Sequence, residues 1–162
     1  MSKDTMEWLL EPKDIGVRYL AMRDLVKGEP KESMPLKKKA HTDGPIALVL
    51  ANMNKEGYWG RPGAGYNPKY RGTVWSLILL SQLGASIEMD KRIATAVSYL
   101  LEHALTKERH FTMNGLPSGT SDCLQGNLCA ALLDLGYEDA RIDKAFDWMA
   151  RSVTGEGVSP MQ

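Results

Sequence analysis

The sequence lacks several features that would point to a charged partner or a membrane. Lysine plus arginine and aspartate plus glutamate number 20 each, so the formal net charge is zero. A nucleic-acid-binding domain usually carries a basic excess or patch, and we interpret the short basic run 37–39 as a solvated surface. The longest apolar runs, such as 77–80, are far too short to span a bilayer. The first residues carry charge at once, which excludes a signal peptide in this stretch.

Cysteine is scarce as well, which excludes a disulfide framework. The two cysteines, Cys123 and Cys129, lie in an apolar stretch. On a helix, a separation of six residues places them roughly 120° apart, so they cannot pair with each other. We therefore predict reduced thiols and a cytoplasmic protein.

What the sequence does contain is the composition and periodicity of a globular helical domain. Its 162 residues are 43% hydrophobic and 25% charged, which are ordinary values for one domain with a core. Two segments, starting at 90 and at 140, place apolar residues on one face with the spacing of an amphipathic helix. The apolar positions are Ile93, Ala96, Val97, Leu100, Leu101 and Ala104 in the first segment, and Ile142, Ala145, Phe146, Met149, Ala150 and Val153 in the second.

Each amphipathic segment follows a helix of another kind. The segments 74–83 and 123–135 are apolar nearly all round, so we expect them to be buried on most sides. Both stop at a Leu-Gly pair, where Gly84 and Gly136 can take the left-handed conformation that ends a helix. At the other ends, Asp90 can cap one helix.

A second cap is predicted at the start of the segment 123–135. Asp122 can cap this helix, and Gln125, three residues on, can reach back to complete a capping box.

The two-helix unit therefore occurs twice, and the two Leu-Gly stops lie 52 positions apart. Repeats of this length are typical of architectures built from stacked units. A weaker earlier copy pairs helix 14–27 with helix 45–53, with a short helix at 5–10 before it and a break at 28–30. We predict that residues 1–162 form a single all-α domain of antiparallel helical hairpins.

Long loops rich in glycine and aromatic residues separate the units. They cover 55–70 and 106–120, and the chain ends inside a third loop, 154–162. A further helix would be expected after that loop. We therefore predict a fragment of a longer protein, or a homo-oligomer in which a second copy covers the open end of the helix stack.

The segment 53–59, Met-Asn-Lys-Glu-Gly-Tyr-Trp, resembles the Gln-Trp motif of the terpenoid cyclase and protein prenyltransferase superfamily, which includes the squalene cyclases. Met53 stands where the family prefers glutamine. The segments 70–75 and 122–128 are similar to an uncharacterised bacterial branch of that superfamily. The resemblance covers roughly 14–153. It implies about half of an α/α toroid, whose inner helices surround an apolar cavity.

This resemblance implies a ligand near the ends of the inner helices. The candidate binding residues are Trp59, Tyr66, Tyr70, Arg71, Trp75, Gln125 and Asn127. The aromatic residues, with Tyr58, can line a hydrophobic pocket, or the two tryptophans can anchor the long loop on the helices. Arg71, with Arg61 and Lys69, suits an anionic headgroup.

The polar pair Gln125 and Asn127 has two interpretations. Both residues lie within a predicted buried helix, where an unpaired amide is costly. They can face a ligand, or they can bond the backbone of a neighbouring loop, and we favour the second interpretation.

Catalytic motifs of the family are absent. Neither the Asp-x-Asp-Asp acid of the cyclases nor the Asp-Asp-x-x-Asp magnesium motif occurs, so enzymatic activity is left open. Asp122 and Cys123 are the candidate catalytic residues, and they resemble part of the prenyltransferase zinc site, but no histidine follows to complete it. We therefore predict no metal site in this chain, and zinc only if a missing part of the toroid supplies ligands. The alternative is that Asp122 is a helix cap and Cys123 fills the core.

Two functions follow. The first is a cyclase- or prenyltransferase-like domain that binds a hydrophobic, isoprenoid-like molecule. The alternative is a non-catalytic helical-repeat module for protein interaction. Neither involves nucleic acid or a membrane span.

Overall fold

A computed structural model describes residues 2–26 and 29–155, and this part of the chain is all-α, as predicted. No sheet forms within it, and its isolated β-bridge joins Leu105 to Phe111. The predicted third loop lies outside the described residues from 156 onward. The helices are α1 (Lys3–Leu9), α2 (Ile15–Ala21, continued by a π-helical segment Met22–Val26), α3 (Pro30–Thr42), α4 (Pro45–Ala51), α5 (Thr73–Gln82), α6 (Lys91–His103), α7 (Asp122–Asp134) and α8 (Ala140–Thr154).

Helices α4, α5 and α7 are neighbours, and the core lies between them and the amphipathic helices. Helix α5 packs on α4 and on α7, α6 packs on α5, and α8 packs on α7. As predicted, α6 buries Ile93, Val97 and Leu100. Helix α8 buries Ile142 in the same way, but its far end is open, where Val153 is 85% exposed.

The expectation that α5 and α7 are buried on most sides needs one correction. Each helix buries one broad face, and Leu77 and Leu132 lie fully inside. The opposite side reaches water, where Leu79 is 43% and Leu133 is 55% exposed. These exposed leucines arise because neither helix is enclosed by described elements all round.

Both Leu-Gly stops form the predicted left-handed helix ends. Gly84 has φ 74° and Gly136 has φ 80°. The next residue in each case returns a backbone hydrogen bond to the carbonyl five positions earlier, from Ala85 to Leu80 and from Tyr137 to Leu132. This is the Schellman arrangement, which satisfies carbonyl groups left open at a helix end.

The amphipathic helices also begin alike. The Asp90 carboxylate accepts the Arg92 backbone N–H at 2.9 Å, which confirms the predicted cap. Asp139 accepts the Arg141 N–H at 2.8 Å in the same way. Each arginine side chain also pairs with its capping aspartate at 2.7 Å. The hydrogen bond from Arg141 lowers the pKa of Asp139 to about 2.

Helix α3 is an element that the sequence reasoning missed. It contains Pro35 and buries little beyond Ala40 and His41, so its apolar signal is weak. It packs on α2 and α4. The His41 ring fastens it, because Nδ1 lies 2.8 Å from the Lys37 carbonyl oxygen and Nε2 accepts the Ser86 backbone N–H at 3.1 Å.

None of the helices within 2–26 and 29–155 combines the length and apolar character needed to cross a bilayer.

Candidate ligand-binding groove

The first long loop is attached to α4 and α5 by two tryptophans, Trp59 in the loop and Trp75 on α5. The Trp59 indole donates to the Val49 carbonyl at 2.8 Å, and its backbone N–H donates to the Thr73 hydroxyl at 3.2 Å. The Trp75 indole donates to the Tyr66 carbonyl at 2.8 Å. The interpretation of Trp59 and Trp75 as loop anchors is therefore confirmed.

Position 57 requires glycine because the loop approaches α6 closely there. Gly57 has φ 96°, and a Cβ at this position would lie 2.8 Å from the Thr95 carbonyl oxygen on α6. Any side chain would therefore push the loop away from that helix. Met53 is half-buried and packs on the core.

The second long loop is fastened at the corresponding place by Gln125. This side chain is fully buried, and its oxygen accepts the Phe111 N–H at 3.0 Å. Its amide nitrogen donates to the Phe111 carbonyl at 2.6 Å. Each fastening spans 14 residues, from Trp59 to Thr73 and from Phe111 to Gln125. The favoured interpretation of Gln125, that it bonds a loop backbone, is confirmed.

A groove of about 510 Å³ opens between α4, α5 and the first loop. Its lining residues are Leu48, Val49, Asn52, Trp59, Gly60, Tyr70, Arg71, Trp75, Ser76 and Leu79. Leu48 is 67% exposed, and with Leu79 it presents aliphatic surface to water on two helices. The groove therefore combines apolar walls with the aromatic residues of the loop.

Trp75 is packed between two tyrosines. The Tyr66 ring lies 5.1 Å away and the Tyr70 ring 4.9 Å away, both tilted by nearly 60°. Tyr70 is 73% exposed and has φ 64°, a left-handed conformation that is uncommon outside glycine. This conformation holds an aromatic ring at the mouth of the groove.

The charges at the groove mouth are positive. Arg71 is exposed and lines the groove, and within residues 2–26 and 29–155 no carboxylate forms an ion pair with it. The Lys69 ammonium lies 5.2 Å from the centre of the Tyr70 ring. Asn52 is already engaged, because its amide donates to the Leu48 carbonyl at 2.8 Å. Arg71 is therefore the group best placed for an anion.

The structure brings four candidate binding residues together and separates the others. Trp59, Tyr70, Arg71 and Trp75 line the groove, and the Tyr66 ring contacts that of Trp75. Gln125 does not line it. Asn127 does not line it either, because it is exposed on α7 and donates to the Cys123 carbonyl at 2.8 Å.

The start of α7 differs from expectation in two ways. Ser121, not Asp122, occupies the cap position, and Asp122 is the first helical residue. The predicted capping box is wrong because Gln125 is committed to Phe111. Cys123 is exposed, so the interpretation that it fills the core is also wrong. Its thiol lies 3.5 Å from the Ser121 hydroxyl.

Two further observations concern Cys129 and the possible metal ligands. Cys129 is buried and unpaired, and burial raises the pKa of its thiol to about 11. In the described part of the chain, no three histidine, cysteine, aspartate or glutamate residues are grouped as metal ligands would be.

Leu48, Asn52 and Leu79 were missed as lining residues. In a segment that is apolar nearly all round, the sequence does not reveal which leucine is left facing water. The aromatic loop next to these residues is the feature of the sequence that could have indicated their place in a groove.

Comparisons with known proteins identify no family. No family model matches the chain, and neither a curated protein nor a solved structure matches it. The functional argument therefore depends on the chemistry of the groove.

Proposed function

We propose that the groove between α4 and α5 binds a small hydrophobic molecule that carries an anionic group. The observation that carries this proposal is an unpaired arginine, Arg71, beside exposed Leu48 and Leu79. Exposed aliphatic surface next to aromatic rings gains free energy when a ligand removes it from water. A volume of about 510 Å³ also suits a small molecule.

The anionic group follows from the chemistry of Arg71. A guanidinium donates two parallel hydrogen bonds to a carboxylate or phosphate, and the nearby Lys69 adds positive charge. Prenyl diphosphates combine an apolar chain with such a head, and the family resemblance favours that class. The half-toroid arrangement remains a prediction, and the proposal concerns binding, with catalysis left open.

The test is isothermal titration calorimetry of the whole chain with a prenyl diphosphate, with the matching prenyl alcohol, and with inorganic diphosphate. The diphosphate ester is expected to bind most tightly. Replacing Arg71→Gln removes a charge-assisted contact that is worth about 1.5–3 kcal/mol, or roughly 10- to 150-fold in Kd. Arg61→Gln is the matched control, because Arg61 lies on the same loop and does not line the groove.

Two results would overturn the proposal. One is that none of the three compounds binds. The other is that R71Q and R61Q bind the ester as tightly as the wild type. Repeating the titration with Mg²⁺ or Zn²⁺ shows whether a metal ion assists binding. Zinc is expected to have no effect on this chain alone, because residues outside it would have to supply the ligands.

A second candidate, a helical-repeat interaction module, is favoured by the open side of the last hairpin. Leu133, near the end of α7, and Val153, near the end of α8, are exposed apolar residues of this hairpin. We infer that this surface pairs with a second copy of the chain. Light scattering at increasing concentration tests this, and a strict monomer at high concentration would contradict it.

A further inference from the structure

His110 lies in an unusual environment for a histidine. Its ring is only 7% exposed, and neither ring nitrogen has a hydrogen-bond partner among the described residues. One face meets the indole of Trp148 on α8, with ring centres 4.8 Å apart and planes tilted by 58°. The ring therefore lies where the second long loop meets α8.

This environment accepts a neutral imidazole and disfavours a charged one. An imidazolium has two N–H donors, and here both would be buried without acceptors, which is costly. Burial accordingly lowers the pKa of His110, and the charge of Glu108 on the same loop opposes this with a smaller effect. Protonation of the His110 ring is therefore incompatible with its buried position.

The charged groups on the neighbouring elements do not offset this cost. On α8, Asp147 and Lys144 are exposed, and on α7 Asp122 is exposed. Arg141 is paired with Asp139 at the start of α8.

Arg109, next to His110, adds positive charge to the loop, and this charge acts on Asp139. It therefore cannot favour an imidazolium.

Of the two elements that enclose the ring, α8 is the one free to move. The loop is fixed, because Phe111 is bonded twice to Gln125 and the Thr106 N–H donates to the His110 carbonyl at 2.9 Å. Helix α8 packs chiefly on α7 and is open at its far end, near Val153. Its first half is held in the core by Ile142 and Ala145, so the part that can move is the second half, from Trp148 onward.

We propose that the second half of α8, from Trp148 onward, makes a pH-sensitive contact: it lies against the loop while His110 is neutral and moves away when the imidazole takes up a proton. This proposal is independent of the ligand groove. Because the pKa of His110 is lower in the closed state than its ordinary value of 6.5, closure is complete above that value. It is lost as pH falls below it. One proton is taken up for each opening, so the open population rises by at most about tenfold per pH unit.

The test is hydrogen exchange of backbone amides between pH 7.5 and pH 5, corrected for the intrinsic pH dependence of exchange. In the wild type, protection in the second half of α8 is expected to fall by up to about tenfold per pH unit below pH 6.5. Amides of α7 serve as the reference for global unfolding. His110→Phe keeps a ring against Trp148 and is expected to abolish the dependence.

A matched control distinguishes the effect of His110 from that of the other buried histidine, His41. His41 lies on α3, so His41→Phe should change exchange in α3 and leave the pH dependence of α8 in place. If α8 protection does not change with pH, or falls equally in H110F, the proposal is wrong. NMR titration of the His110 ring in the wild type is a second test that needs no variant. A midpoint at or above 6.5 would also overturn the proposal.

Discussion

The two hydrogen bonds between Gln125 and Phe111 give the sharpest prediction for stability. Replacing Gln125→Met keeps the volume of the side chain nearly unchanged, so packing loss is small. It leaves the Phe111 N–H unpaired inside the core, and it leaves the Phe111 carbonyl with only the Thr120 hydroxyl, at 3.4 Å. An unsatisfied buried group costs about 1–3 kcal/mol, so the free energy of unfolding should fall by about 1–3 kcal/mol.

Urea denaturation followed by circular dichroism measures this change. The midpoint should fall while the m-value stays constant, and a loss of 3 kcal/mol corresponds to about 6–12 °C in Tm for a domain of this size. Asn127→Ala is the control on the same helix. Its bond to the Cys123 carbonyl is exposed, so its effect should stay within about 0.5 kcal/mol.

A second variant tests the direction of the bonds. Gln125→Glu keeps the acceptor for the Phe111 N–H but directs a carboxylate oxygen at the Phe111 carbonyl. Burial would raise the pKa of such a carboxyl group above its unfolded value of about 4.3. The deficit of Q125E relative to the wild type should therefore shrink as pH falls from 7.5 to 5. Equal stability of Q125M and N127A would refute the reasoning.

Two further predictions concern the loop and the pH dependence of the fold. Gly57→Ala should lower the free energy of unfolding in urea by more than Gly63→Ala, because both positions have positive φ but only the first meets a backbone oxygen; equal losses would contradict the close contact. Burial lowers the pKa of His41, whose neutral ring accepts the Ser86 N–H, so its contribution is present above pH 6.5 and lost as pH falls below it. The fall in Tm between pH 7 and pH 5 should be smaller in His41→Gln than in the wild type, and an unchanged slope would exclude His41 as its source.

Periodicity predicted the elements whose burial is one-sided. The apolar face of α6 follows from the spacing of Ile93, Val97 and Leu100, and the glycines after Leu83 and Leu135 mark the ends of helices. These features are local, so the sequence contains them. Helix α3 has no such pattern, because tertiary contacts such as that of His41 with Ser86 hold it in place.

The loop residues of the candidate site were predictable from the sequence, and the helix residues that form the sides of the groove were not. Trp59, Tyr70, Arg71 and Trp75 stand out as aromatic and basic residues near one helix start, and they do meet in the groove. Whether Leu48 lines the groove depends on which helices pack against each other, and this packing cannot be read from a single sequence. Cys123 shows the same limit, because an apolar segment does not indicate which of its sides is left open.

The paired 14-residue fastenings have a consequence for how this chain can vary. Both long loops are closed at their bases, by Trp59 with Thr73 and by Phe111 with Gln125. Beyond such a closure, lengthening a segment is cheap, at about 0.6 kcal/mol for each doubling. Exposed positions of this stretch, such as Arg61 and Lys69, can therefore change while the helices keep their positions, whereas Gly65 and Tyr66 are held by Val74 and Trp75. A new binding preference would then require changes in one short segment and none in the core.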